Sequence, residues 1–178
     1  MSREPFGPMC ALLLAIAAGR VAAQPPDGPI DSRLQPWFHL TVEEAAARLE
    51  NPACARILTD FRDVAGRTLA LKLEATGLDA SAYARSVAFR AGRGVGLCQS
   101  GRIFMLTTIA GRVVWVCEAQ YYRKEREEPE VAIGLVIHEV LHTLGLGENP
   151  PSSEEITAHV MARCPAVAAP SRIALISR

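Results

Sequence analysis

The sequence predicts an α+β fold in one small domain, and three observations carry the prediction. Apolar residues recur at helical spacing between Thr41 and Gly66. Three short runs rich in β-branched and aromatic residues lie between Ser86 and Ala119. The run from Glu130 to Leu144 is apolar on nearly every side, the mark of a helix buried in the core. N-terminal helices, a short mixed sheet, a buried helix and a C-terminal helix, in that order, make an α+β domain. With 178 residues, 49% hydrophobic and 21% charged, the chain can bury a core and is not of disordered composition.

The N-terminus has a separate character. MSREPFG, containing Arg3, precedes the apolar run PMCALLLAIAAG, which is too short to span a bilayer. Val21-Ala22-Ala23 then offers small or apolar residues where a signal peptidase reads. Residues 1–23 are therefore expected to be a signal peptide, cleaved between Ala23 and Gln24, on a protein secreted to the periplasm or the medium. Removing Arg3, Arg20 and Glu4 from 19 basic and 19 acidic residues leaves a net charge of −1. No block of like charge exists, so neither a nucleic-acid partner nor, after cleavage, a membrane is expected.

Residues 24–40, rich in Pro, Gly and Asp up to Gln35, read as an extended leader, and 41–178 as the single domain. Thr41 with Glu44 three residues later forms a capping-box pattern, so a helix is expected over TVEEAAARLE, ended by Asn51-Pro52. A second helix is expected over CARILTDFRDVAG, with Cys54, Ile57, Leu58 and Phe61 on one face. LALKLEA suits either a strand or a helix. SVAFRAG, IFMLTT and VVWVCEA read as strands. Pro129 starts the buried helix and Gly145 ends it, and Ser152 with Glu155 forms a capping box for the last helix.

Cys10 would leave with the signal peptide, and the four remaining cysteines imply two disulfides. Cys98–Cys117 and Cys54–Cys164 are the favoured pairs. The second closes a long loop and should contribute about 4–5 kcal/mol on chain-entropy grounds.

His138 and His142 lie one turn apart on the buried helix and project from the same face. Two neutral imidazoles so placed can hold zinc, while Glu139, just off that seam, can take a proton from a water that zinc has acidified. Two core histidines bonded to backbone carbonyls are the simpler alternative. Three ionisable groups on a helix otherwise made of Val, Leu and Ile argue against it, because each is costly there unless paired or metal-bound.

HEVLHTLGLGE resembles the zinc-binding helix of the zincin metallopeptidases, and within them the metzincins, whose pattern is H-E-x-x-H-x-x-G-x-x-H, or Asp in place of the last His. His138, Glu139, His142 and Gly145 match it, and Glu148 stands at the third-ligand position. The match spans about eleven residues. The resemblance implies a zincin-like domain and a zinc-dependent hydrolase of peptide or protein substrates. Zinc would be held by His138, His142 and Glu148, with Glu139 as general base. It also implies an edge strand for the substrate, for which VVWVC is the nearest candidate, and a methionine turn, which Met161 does not supply because EEITAHVMARC reads as helix. The related gluzincins take their third ligand from a following helix. That keeps Glu155 and His159 open as alternatives to Glu148, although Glu155 already has a capping role. A second reading is a secreted, disulfide-stabilised binding module with a closed structural zinc site, which would need four protein ligands.

Overall fold

The computed structural model describes Asp31 and residues 33–166. The expected signal peptide and the start of the leader lie outside the described residues.

Helix α1 (Pro36–Glu50) begins earlier than the sequence suggests. Pro36 at its first turn is preorganised for the helix, and Trp37 and Phe38 give that turn apolar surface to bury. Helix therefore begins within the expected leader, at Pro36, and not after Leu40. Thr41 is no cap; its hydroxyl donates to the Trp37 carbonyl one turn back. Phe38, Val42, Ala45 and Leu49 form the buried stripe. Arg48, on the same helix, is also buried, bonded to Glu44, Glu130 and the Cys164 carbonyl.

The expected second helix breaks into two short turns, α2 (Pro52–Ala55) and α3 (Ile57–Asp60). A loop follows, organised by Asp63, whose carboxylate accepts from the Ala65 and Arg67 amides at 2.9 Å each. The ambiguous LALKLEA segment is helical, as α4 (Leu69–Glu74), and α5 (Ala80–Ser86) follows.

The sheet is mixed and three-stranded. It comprises β1 (Ala88–Ala91), β2 (Met105–Thr107) and β3 (Val113–Val116), in the order β1-β3-β2. β1 pairs parallel to β3, and β2 pairs antiparallel to it. VVWV is therefore the central strand, which corrects its reading as a substrate-binding edge. The strand also ends at Val116, where Cys117 starts α6 (Glu118–Glu127), a helix that the charged sequence there conceals. Tyr121 anchors α6: it is buried against Trp37 and Phe38, and its hydroxyl donates to the Ala132 carbonyl at 2.7 Å.

Helix α7 (Pro129–Thr143) is the buried helix, packed against α1, α6, α8 and the sheet. α8 (Ser153–Arg163) closes the domain with the expected capping box complete. Met161 of α8 lies so close to Gly134 of α7 that a Cβ at Gly134 would meet its sulfur. It is packing, as expected, and not a turn beneath the site. Both favoured disulfides are present: Cys98–Cys117 ties the loop before β2 to the start of α6, and Cys54–Cys164 ties α2 to the end of α8. They fit an oxidising compartment. Among the described residues, no helix is long and apolar enough to cross a membrane.

Candidate metal centre

The site is assembled at the C-terminal end of α7 and the turn after it. His138 and His142 are both buried. The helix stops at Leu144, and Gly145, at φ +106°, reverses the chain. A side chain there would be strained and would press on Asp63. The Asp63 loop braces this reversal. Val64 donates its amide to the Gly145 carbonyl, and Asp63 bridges to Leu146. The β2–β3 turn adds a further tie, from the Ala110 amide to the His142 carbonyl at 2.8 Å. Two segments thus hold the chain that returns Glu148 to the two histidines.

His138 Nε2, His142 Nε2 and Glu148 Oε1 converge, with separations of 2.9 Å between the histidines, 3.2 Å from His142 to Glu148 and 3.5 Å from His138 to Glu148. This group could hold a metal ion. The lone-pair count supports that. His142 Nδ1 lies 2.8 Å from the Leu146 carbonyl, an acceptor only, so Nδ1 carries a proton, and a neutral His142 turns its Nε2 lone pair toward the other two groups. Glu148 presents another. With both imidazoles neutral, one proton at most is available among three converging acceptors, whereas a cation satisfies all three at once.

The surroundings favour the neutral imidazole that metal binding needs. Burial, and next the neighbouring His142, pull the His138 pKa down to about 4. Glu139 is buried, and its Oε2 has no hydrogen-bond partner. Burial, and next the charge of Glu148, push its pKa up to about 8. A cation held by His138, His142 and Glu148 opposes that rise and returns Glu139 toward the carboxylate. Glu139, His142 and Glu148 line one cleft of about 370 Å³, which Met105, Leu106 and Thr107 of the edge strand β2 also line. The strand beside the site is thus β2, not β3.

The two alternative ligands are engaged elsewhere. Glu155 closes the α8 capping box, accepting the Ser152 amide at 2.8 Å. His159 Nε2 lies 2.9 Å from Asp60, which Arg163 also binds, and its ring packs on Phe61. Tyr121 is committed to Ala132, and Tyr122 packs with Trp37, so neither faces the cleft. Thr157, which sequence reasoning passes over, lies 2.9 Å from His138 Nδ1. Its only signal is indirect: a metal-binding histidine needs a partner for its other nitrogen.

The separation of Glu148 from Glu155 gives a paired prediction. If the group holds a metal ion, Glu148→Ala is expected to weaken its binding by more than ~10²-fold, beyond what losing an outer partner costs. Glu155→Ala should leave metal stoichiometry unchanged and lower the melting temperature. The Ser152 amide and hydroxyl hold Glu155 below the usual carboxylate range. Its contribution is thus complete above the unfolded pKa and lost as pH falls through the lower folded value. Equilibrium dialysis and thermal melts at neutral and acidic pH check both.

No protein-family model, curated protein or solved structure matches the chain.

Proposed function

We propose that the protein is a secreted zinc-dependent metallopeptidase of zincin type, with zinc on His138, His142 and Glu148. The observation that carries this reading is Glu139: a buried carboxyl with an unpartnered oxygen, lining the same cleft as two of three converging ligands. A closed structural site needs a fourth protein ligand, and the two candidates, Glu155 and His159, are bonded elsewhere. An open position beside an acid–base group suits hydrolysis.

The ligand set fits zinc. Tetrahedral ligands at ~2.05 Å lie ~3.3 Å apart, and the three edges here are 2.9, 3.2 and 3.5 Å. Two imidazoles and one carboxylate favour zinc over the oxygen-seeking calcium and magnesium. When bound, zinc would acidify a water and polarise the scissile carbonyl. Glu139 accepts a proton from the attacking water and passes it to the leaving amine. Met105, Leu106 and Ile109 give the cleft an apolar side. The disulfides and the signal-like N-terminus support secretion.

Metal removal tests the reading. The purified chain is expected to carry one zinc, to lose hydrolysis of an unfolded protein substrate in chelator, and to regain it when zinc is restored. Hydrolysis undiminished by complete zinc removal would sink the proposal.

A further inference from the structure

Two aliphatic side chains stand in water beside the cleft. Val64, in the Asp63 loop, is 73% exposed, and Ile109, in the β2–β3 turn, is 50% exposed. They belong to different loops, yet both reach Gly147. A Cβ built there would lie 3.0 Å from Val64 Cγ1 and 3.9 Å from Ile109 Cδ1. Gly147 immediately precedes Glu148. Ile109 also lines the cleft of about 370 Å³ that Glu139, His142 and Glu148 line. The two side chains therefore form one apolar rim, continuous with the cleft.

Both loops are tied down where they carry this rim. The Val64 amide donates to the Gly145 carbonyl at 3.2 Å, and the Ala110 amide donates to the His142 carbonyl at 2.8 Å. The Asp63 carboxylate holds the shape of the first loop through the Ala65 and Arg67 amides. Valine and isoleucine are both stiff at χ1, so little freedom is lost when a ligand covers them. An apolar side chain alone on a surface needs no explanation. Two brought together from separate loops, on the turn that carries Glu148, are preorganised contact surface. They offer far less than the ~800 Å² that each partner of a stable protein pair buries, so a second copy or a folded partner does not fit them. One apolar side chain of a peptide lying in the cleft does.

On the metallopeptidase reading above, we propose that Val64 and Ile109 determine specificity: their rim receives an aliphatic or aromatic side chain of the peptide whose bond is cut in the cleft. Taking that side chain out of water is favourable only while the rim is apolar. The contact is made in the bound peptide as fully as in the transition state, so its loss raises KM and spares kcat.

The test uses Val64→Ser, Ile109→Ser and the double variant in the full chain. Both positions are exposed, so the fold and the metal content are expected to stay as in the wild type. Peptides with leucine or serine at each position flanking the cleaved bond read the preference. The wild type is expected to favour leucine by ~10-fold in kcat/KM at one position. The double variant should lose that preference through KM and treat the serine peptide as the wild type does. Methyl NMR gives a readout without turnover. In the zinc-loaded Glu139→Gln chain, the leucine peptide should shift the Val64 and Ile109 resonances more than the serine peptide does. A wild type without the leucine preference, a double variant that keeps it, or methyls that do not respond overturns the rim and leaves the metallopeptidase reading standing. A wild type that dimerises where the double variant is monomeric gives the rim to a second copy and overturns it too. A wild-type chain that cuts no peptide overturns both readings.

Discussion

Replacing Glu139 with glutamine is expected to lower peptide hydrolysis by ~10²–10⁴-fold, the usual contribution of a positioned general base, while zinc content stays at the wild-type level. Glutamine has the shape of glutamate but cannot take a proton from water at neutral pH. The three converging donors are other residues, so a bound metal would have no reason to leave. The melting temperature should not fall either. Glu139 is buried and its Oε2 has no partner, so that oxygen has no hydrogen bond for an amide to lose. That combination of lost turnover, retained zinc and retained stability separates catalysis from a structural metal site. A Glu139→Gln protein that cleaves as fast as wild type would remove the mechanism and leave a zinc-binding module.

The parts legible in sequence were those governed by local rules. α7 is visible because an apolar residue at nearly every position cannot face water, and its two histidines at i and i+4 must share a face. The start of α8 is visible because Ser152 and Glu155 satisfy each other's backbone amides without help from the rest of the fold. Glu148 was reachable through Gly145, whose positive φ makes the needed reversal. Long-range partners were not legible. Thr41 and Glu44 have the same spacing as Ser152 and Glu155, yet Pro36 and the burial of Phe38 start α1 earlier and override that cap. α6 hides because only Tyr121 of its ten residues is buried, and its anchor is a carbonyl on α7. Strand order, which makes β2 the edge beside the cleft, is set by a parallel pairing across a connection that no local pattern encodes.

The same distinction between local and long-range ties decides which disulfide matters more. Loop-closure entropy assigns ~3 kcal/mol to Cys98–Cys117, with a separation of 19 residues, and about 5 kcal/mol to Cys54–Cys164, with 110. A domain of this size has a total stability of ~5–15 kcal/mol, so the long closure is a large share of it. Its loss should also be felt at the metal. Cys164 ends α8, and its carbonyl accepts from the buried Arg48 of α1. Breaking the bridge loosens the helix that presents Thr157 to His138. The double variant Cys54→Ala, Cys164→Ala is expected to lose about 4–5 kcal/mol in denaturant unfolding. If it is still folded, it should bind zinc more weakly although no ligand has changed. Cys98→Ala with Cys117→Ala should lose less stability and keep zinc affinity closer to wild type, because that bridge ties the loop before β2 to α6 and does not reach α8. Equal losses from the two double variants, in unfolding free energy and in zinc affinity, would show that α8 is held by its core packing and not by its covalent tie to α2.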